Sequence, residues 1–217
     1  MIQIRHKSTG AVLLALEADS LAGAKLSGAK LHGASLQGLD LRGAIINNAD
    51  LRDADLRGAN LAGATFNATA LDGANAAHAN FCGCDLTDCT LVGADFTEAN
   101  FEKALFRYAK LTGANLSGAN LQKTDMSMTD LRANLSTANL HGADLRAADM
   151  SGANLMGANL EEANLTDANL NLAVIARARM RGAIDKTGKH TAVVAAASGG
   201  GVKTAAKPIR PWWQFWG

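Results

Sequence analysis

The chain has 217 residues, of which 48% are hydrophobic and 5% aromatic, and its formal net charge is +1. The hydrophobic fraction excludes a wholly disordered chain, and no run approaches the ~18 apolar residues that a membrane-spanning helix needs. Two prolines against 22 glycines exclude collagen and proline-rich linkers.

The N-terminal residues predict a β-hairpin. Ile2 and Ile4 alternate with polar residues, Ser8–Gly10 is typical of a turn, and residues 11–16 fit a second strand. A hairpin within residues 1–18 would cover the open edge of whatever sheet follows. Basic residues before the apolar stretch also resemble a signal peptide, but six apolar residues are too few for one. We therefore expect a cytoplasmic location.

An apolar residue then recurs every five positions from Leu21 to Met180, with one step of four between Leu131 and Leu135. We call these the central residues; Ala usually lies two positions before each, and Asn or Asp one position before. On an α-helix every fifth side chain turns by about 140°. In a straight strand an odd period alternates between the two faces. Each pentad must therefore contain a bend that keeps its central residue and its Ala inward, and we expect the Asn and Asp to bond neighbouring backbone or stack as ladders.

The glycines support a bend in every pentad. Every glycine from Gly23 to Gly182 lies two residues after a central residue, a phase that we call the corner. Glycine recurring at one phase predicts a positive φ there, as at the third residue of a type II turn. A helix with this sequence would instead lose about 1 kcal/mol for each glycine relative to alanine.

The pattern A-[DN]-L-x-G, as in Ala114–Gly118 and Ala153–Gly157, resembles the pentapeptide-repeat family over residues 19–180. The resemblance implies an all-β fold, a right-handed quadrilateral β-helix with four pentads per coil. About eight coils spaced by roughly 4.8 Å would make a rod on the order of 40 Å long. The expected organisation is a hairpin cap at 1–18, the β-helix at 19–184 and a flexible basic tail at 185–217.

With four pentads per coil, residues twenty apart stack, and all five phenylalanines of the repeats occupy central positions. They are therefore predicted to lie in the core. Ala76 is the smallest central residue, and we expect Phe66, Phe81 and Phe96 to fill the space that it leaves.

No group of residues predicts catalysis. Cys84 and Cys89 occupy the inward alanine phase, which predicts buried, reduced thiols rather than a metal site or a disulfide, and Cys82 lacks metal-site spacing. The five histidines are dispersed, and no nucleophile–base motif or phosphate-binding loop is present. We predict that the protein is not an enzyme and uses no cofactor or metal.

The near-neutral charge hides an asymmetry. Residues 19–170 contain 18 Asp and Glu against 11 Lys and Arg, a net of −7, whereas residues 171–217 carry +7. An acidic rod raises the alternative of DNA mimicry, since the resemblance includes proteins that bind type II topoisomerases and protect them from inhibitors. Duplex DNA is far denser in charge, however, with one charge per ~1.7 Å. A merely solvated acidic surface is the competing interpretation.

Two stretches, residues 96–110 and 121–140, lack glycine at the corners. Twenty-residue stacking places them side by side and predicts a basic, partly apolar patch. We hypothesise a partner-binding face there; the alternative is a change of turn type without functional meaning. The candidate residues are Lys103, Arg107, Tyr108, Lys123 and Met128.

The C-terminus holds the remaining anomaly. Residues 195–206 are typical of a flexible linker, and all three tryptophans follow within six residues. These aromatic residues could dock on a protein, insert at a membrane interface, or cap the last coil. The candidate docking residues are Trp212, Trp213, Phe215 and Trp216.

The sequence thus predicts a bacterial, non-enzymatic interaction scaffold that acts through its β-helix surface and its C-terminal aromatic and basic tail. The alternative is a DNA mimic that binds a type II topoisomerase and protects gyrase, as in quinolone resistance. A protein partner is expected, with peripheral membrane contact through the tail as a variant. Direct nucleic-acid binding is not expected, and a homodimer remains open.

Overall fold

The structure is a computed structural model that describes residues 1–185 and 187–189. It begins with strands β1 (Ile2–Arg5) and β2 (Val12–Leu16), which pair antiparallel. The rest of the described chain consists of short turns joined by single β-bridges, and it contains no helix. The predicted hairpin is confirmed.

The hairpin docks on one side of the first coil. His6 forms an antiparallel bridge with Ala34, the Lys7 N–H donates to Gly33 O at 2.8 Å, and the Ser35 N–H donates to Arg5 O at 2.7 Å. Ile4 is buried in the core. The hairpin therefore caps part of the N-terminal edge, which would otherwise be open to pairing with another chain.

The coil period is twenty residues. Parallel bridges join Lys25 to Ile45 and continue at this spacing along all four sides, as far as Asn164 and Ile184. Because each side is one pentad, the coil is four-sided, as predicted. The spacing falls to nineteen only across the four-residue repeat, where for example Asn115 pairs with Asn134.

Each pentad closes with a type II turn. In a representative pentad, the Ala59 N–H donates to Leu56 O at 3.0 Å, and the corner residue Gly58 has φ 62°. A left-handed third residue defines this turn type, so the prediction from the glycine phase is confirmed. The short repeat differs: the Ala133 N–H donates to Leu131 O at 2.8 Å. That three-residue γ-turn uses no left-handed corner.

The hydrogen bonds between coils have a fixed direction. Leu56 and Gly58 donate their N–H groups to Asn75 O and Ala77 O of the following coil, at 2.7 and 3.0 Å, and Ala54 O accepts from the Asn75 N–H at 2.9 Å. Each pentad thus offers two donors and one acceptor to the coil after it. A terminal coil on the C-terminal side therefore presents a donor-rich edge.

The core is a stack of central residues and inward alanines. The five core phenylalanines form one cluster, in which Phe81 and Phe101 stack with ring centroids 4.8 Å apart. Phe81 also contacts Phe66 and Phe96, each at 5.8 Å, next to the fully buried Ala76. The predicted core role of the phenylalanines is confirmed.

Asparagine ladders run along the outside of the coils. On one side, the Nδ2 of Asn80, Asn100 and Asn120 each donates to the Oδ1 of the asparagine one coil earlier, at 3.0–3.1 Å. The same oxygens accept backbone N–H groups two residues on, as from Cys82 to Asn80 Oδ1 at 3.2 Å. The predicted structural role of these polar residues is confirmed.

Candidate partner-binding surface

The structure places the predicted patch on two neighbouring corners of two successive coils. The Lys103 N–H donates to Gln122 O at 2.9 Å, so Lys103 and Lys123 stack along one corner. Tyr108 and Met128 occupy the next corner in the same two coils, and Arg107 precedes Tyr108. The five residues therefore form two adjoining pairs with an arginine beside them, rather than a single cluster.

The turn type does not change at the four candidate corners of the glycine-free stretches. Lys103, Tyr108, Lys123 and Met128 have φ values of 56–61°, which match the glycine corners. The Ala104 and Ala109 N–H groups still close the turns on Phe101 O and Phe106 O, each at 2.9 Å. The alternative explanation, a different turn type, is therefore wrong for these corners. Non-glycine side chains instead occupy a backbone conformation that costs about 1–2 kcal/mol per residue.

Arg107 lacks the carboxylate that neutralises other arginines at its phase. Five arginines follow the motif Asp-x-Arg, and each pairs with the aspartate two residues earlier, as in Arg52 Nη2 to Asp50 Oδ2 at 2.7 Å. In the corresponding position before Arg107 stands Leu105. The contact of Arg107 Nε with Asp125 Oδ2 is longer, at 3.8 Å. The paired arginines are Arg42, Arg52, Arg57, Arg132 and Arg146.

Exposed apolar side chains surround Arg107. Leu105 is 41% exposed, Tyr108 48% and Met128 53%. The Arg107 guanidinium carbon lies 5.8 Å from the centroid of the Tyr108 ring, within the range of a cation–π contact. Sequence reasoning missed Leu105, although an apolar residue at a phase usually held by Asn or Asp was a usable signal. We call Leu105, Arg107, Tyr108 and Met128 the Tyr108 surface.

The two lysines border this surface. Lys103 Nζ lies 3.1 Å from Glu102 Oε1, and the Lys103 side chain is largely solvated. The aliphatic part of Lys123 passes close to Gly142, since a β-carbon on that glycine would meet Lys123 Cγ at 3.7 Å. The lysines thus add positive charge beside the apolar side chains, and that of Lys103 is partly offset by Glu102.

The acidity of the rod is partly cancelled by the Asp-x-Arg pairs. The hydrogen bond from Arg52 lowers the pKa of Asp50 to about 2, and the hydrogen bond from Arg132 does the same for Asp130. Five of the 18 acidic residues between 19 and 170 are paired in this way. The pairs remove as many basic as acidic residues, so the net charge of −7 is unchanged, but only the other 13 acidic residues are left to imitate the phosphates of DNA.

The inward cysteines are structural. Cys84 Sγ donates to Leu61 O and Cys89 Sγ to Phe66 O, both at 3.0 Å. Burial raises the pKa of both thiols to about 12, so neither is a reactive thiolate. Within residues 1–185 and 187–189, no group of three or more His, Cys, Asp or Glu side chains has metal-site geometry.

None of the described segments forms a helix of the length and apolarity needed to cross a bilayer.

The tail candidates Trp212, Trp213, Phe215 and Trp216 lie outside the described residues. Most of the predicted tail at 185–217 lies outside them as well.

Two family models match the repeats: a pentapeptide repeat region at residues 59–133, and pentapeptide repeats (8 copies) at 20–48, 34–71, 131–155 and 153–184. No curated protein sequence matches the chain significantly.

Solved structures give three similar proteins. HetL, a pentapeptide repeat protein involved in heterocyst differentiation regulation in the cyanobacterium Nostoc sp. strain PCC 7120, is 31% identical over 79% of this chain and 89% of HetL, with a TM-score of 0.41. QnrB1, a plasmid-mediated fluoroquinolone resistance protein, is 19% identical over 73% of this chain and 87% of its own, with a TM-score of 0.49. Rfr23, a pentapeptide repeat protein from the cyanobacterium Cyanothece 51142, is 32% identical over 44% and 59%, with a TM-score of 0.22.

Proposed function

The chain belongs to the pentapeptide-repeat family of right-handed quadrilateral β-helices, and we propose that it is a non-enzymatic scaffold that binds a protein partner through the Tyr108 surface. The observation that carries the proposal is the break in the Asp-x-Arg motif at Leu105. It leaves the Arg107 guanidinium with only the longer contact to Asp125 Oδ2, at 3.8 Å from Nε, in a surface that also exposes three apolar side chains. Arginine and aromatic residues of this kind are enriched among the residues that dominate protein–protein binding.

The backbone supports a binding role for Tyr108 and Met128. Both have a left-handed φ, of 61° and 58°, at a phase where glycine is the common residue. Bulky side chains in this region cost conformational energy, and such costs concentrate at functional positions. Asp88 and Asp167, on the same corner row, are less informative, because aspartate tolerates this conformation better.

The side chains of the Tyr108 surface predict the chemical character of the partner. Arg107 can receive a carboxylate in the bidentate geometry that its neighbours already use within the chain. An apolar side chain next to that carboxylate would pack on Tyr108 and Met128. The ammonium groups of Lys103 and Lys123 would favour further acidic residues on the partner side and speed association. We therefore propose an acidic partner segment that carries at least one large apolar residue.

Photocrosslinking at single positions tests this proposal. A benzoylphenylalanine at position 108 should give a discrete adduct in lysate of the source organism, and the same probe at position 48 is the matched control. Both positions are exposed corners of one row, three coils apart, with φ values of 61° and 58°. Arg107→Glu together with Lys123→Glu should abolish the adduct, whereas charge reversal at the distant Lys30 should not. Equal adducts at positions 48 and 108, or an adduct that survives the double reversal, would contradict the proposal.

A further variant separates binding from folding. Tyr108→Gly removes the side chain but suits the left-handed corner, so the β-helix should keep its stability while the partner is lost. Retention of the partner by this variant at unchanged affinity would remove Tyr108 from the site.

DNA mimicry toward a type II topoisomerase is the competing proposal. The internal Asp-x-Arg pairs disfavour it, because they reduce the free carboxylate density on the rod. It is tested by assaying gyrase supercoiling in the presence of a fluoroquinolone, with and without the protein. Protection that depends on rod carboxylates such as Asp95 and Glu98, and is unaffected by Arg107→Glu, would favour DNA mimicry over the Tyr108 surface.

The tail is proposed as a second docking element of this scaffold, which we place in the bacterial cytoplasm. Its four aromatic residues would strengthen recruitment to a protein or a membrane. Replacing Trp212, Trp213, Phe215 and Trp216 by alanine in the full chain should weaken recruitment without moving the crosslinking site. Homodimerisation of the scaffold is tested directly by its mass in sedimentation equilibrium.

A further inference from the structure

The last described coil has a donor-rich edge on its C-terminal side. The Leu165 N–H still donates to Ile184 O at 2.9 Å, but within the described residues no coil stacks on 171–184. The N–H groups of Leu172 and Arg177 lie on this edge and have no acceptor among the described residues. Backbone N–H groups that converge on one surface favour anionic ligands. We call residues 171–184 the C-terminal end.

The side chains of the C-terminal end are also cationic. Arg177, Arg179 and Arg181 are exposed, and none of them forms a salt bridge with a described carboxylate. Arg181 stands at the same phase as Arg107 and, like it, has no aspartate two residues earlier. Residues 171–189 contain five basic residues against one acidic residue, Asp185.

Apolar side chains accompany these charges. Leu172 is 91% exposed, the highest value among the large hydrophobic residues that the structure describes, and Val174 is 49% exposed. Leu172 occupies a left-handed corner with φ 61°, where glycine would be less costly. Exposed aliphatic residues within a basic surface are the composition of segments that bind the interface of anionic membranes.

We propose that the C-terminal end docks end-on to an anionic phospholipid bilayer. The arginines and edge N–H groups would bind lipid phosphates, while Leu172 and Val174 enter the headgroup region. This surface is separate from the Tyr108 surface, so the rod could present its side to a protein partner while its end rests on the membrane. Either proposal can fail without the other.

Charge argues against two alternative partners of the C-terminal end, namely a second copy of the chain and the chain's own segment beyond residue 189. A second copy meeting end to end would bring the two sets of arginines together, and like charges oppose that contact. The chain beyond residue 189 is itself basic, with Lys203, Lys207 and Arg210 and no acidic residue. It is therefore poorly matched in charge to this end and better matched to the same anionic membrane. Its tryptophans also suit a bilayer interface.

Acidic residues one coil earlier favour an end-on orientation. Glu161 and Glu162 line a cleft with Arg181, and Asp167 lies on the corner before Leu172. If the rod lay on its side, these carboxylates and the acidic rod surface would approach lipid phosphates. Repulsion between them disfavours contact along these acidic sides and favours contact through the C-terminal end.

Vesicle cosedimentation of the full chain tests this inference. The protein should bind vesicles of phosphatidylcholine with about 30% phosphatidylglycerol, bind pure phosphatidylcholine far less, and lose affinity as salt is raised. Arg177→Gln, Arg179→Gln and Arg181→Gln together should lower the partition coefficient about 100-fold, at roughly a factor of five for each basic residue near an anionic surface. Leu172→Gly, which preserves the corner, should lower it about tenfold. Lys25→Gln with Lys30→Gln, in the first coil, is the matched control and should leave binding unchanged.

Several results would overturn the inference. These are equal binding to both kinds of vesicle, full binding by the triple arginine variant, or loss of binding in the Lys25 and Lys30 control. A variant with Trp212, Trp213 and Trp216 replaced by alanine must retain arginine-dependent binding; loss of all binding there would assign docking to the tail alone. A dimer in sedimentation that the triple variant dissociates would assign the end to a second copy. Arginine-dependent binding of a DNA duplex without vesicle binding would assign it to nucleic acid.

Discussion

At a left-handed corner we expect a glycine variant to be more stable than an alanine variant, which reverses the usual order of stability. We consider Lys103, which has φ 60° and a solvated side chain that pairs only with the neighbouring Glu102. Lys103→Ala and Lys103→Gly both remove this pair, so their difference isolates the β-carbon. A β-carbon in the left-handed region costs about 1–2 kcal/mol, while glycine loses roughly 0.5–1 kcal/mol of backbone entropy relative to alanine. The glycine variant should therefore be the more stable by about 0.5–1 kcal/mol, which is the difference of those two terms.

The matched control is the adjacent position. Glu102 is exposed to an intermediate degree and does not have a positive φ. There Glu102→Ala should be more stable than Glu102→Gly by about 0.5–1 kcal/mol. Urea and thermal unfolding of all four variants measure the two differences, and each kcal/mol should shift the melting temperature by about 2–4 °C in a chain of this size. If the Lys103→Ala variant proved as stable as the Lys103→Gly variant, the argument that the corners store conformational energy would be refuted.

Three further predictions concern the core, the ion pairs and the hairpin. Phe101→Ala removes a ring packed at the centre of the phenylalanine cluster and should lower the free energy of unfolding by about 3–5 kcal/mol; a loss under about 1 kcal/mol in urea titration would contradict that packing. The pKa of Asp130 is lowered to about 2 by Arg132, so this pair stabilises the fold above the unfolded carboxyl pKa and its contribution is lost as pH falls from about 4 to 2. Asp130→Asn should flatten that part of the stability profile, and an unchanged profile would assign the acid sensitivity elsewhere. A β-carbon at Gly33 would lie 2.5 Å from His6 Nε2, so Gly33→Ala should loosen the hairpin, seen as faster hydrogen exchange in β1 but not in the central coils.

The period of five predicted the coil, because a bend in every pentad is the only way to keep each central residue inside. The glycine phase likewise predicted the left-handed corner where a glycine is present. At Tyr108 and Met128 a change of turn type was the open alternative, and the structure shows that the left-handed corner is kept. The site was predicted less completely. The sequence contains Asp-x-Arg five times, but only side-chain geometry shows that each aspartate neutralises its arginine, and hence that Arg107 differs. Leu105 was overlooked because its significance depends on that missing partner.

The docking of the hairpin and the turn of the short repeat were also beyond sequence reasoning. A hairpin could be predicted from Ile2 and Ile4, but its pairing partner at residues 33–35 depends on the three-dimensional path of the first coil. The deletion at residues 131–134 was evident as a change of step. The γ-turn that absorbs it, with the Ala133 N–H bonded to Leu131 O, is a backbone solution that residue type does not indicate.

The phenylalanine cluster gives the rod a stiff middle. In a solenoid each coil contacts only its immediate neighbours, so opening propagates from one coil to the next and begins where a coil has a single neighbour. The rings of Phe66, Phe81, Phe96, Phe101 and Phe106 link successive coils near the centre of the described rod. Amide protection should therefore form a gradient, highest around these coils and falling towards both ends. The Tyr108 surface should therefore lie on the slowest-opening part of the described rod, and a partner that binds there would meet a surface that is already rigid.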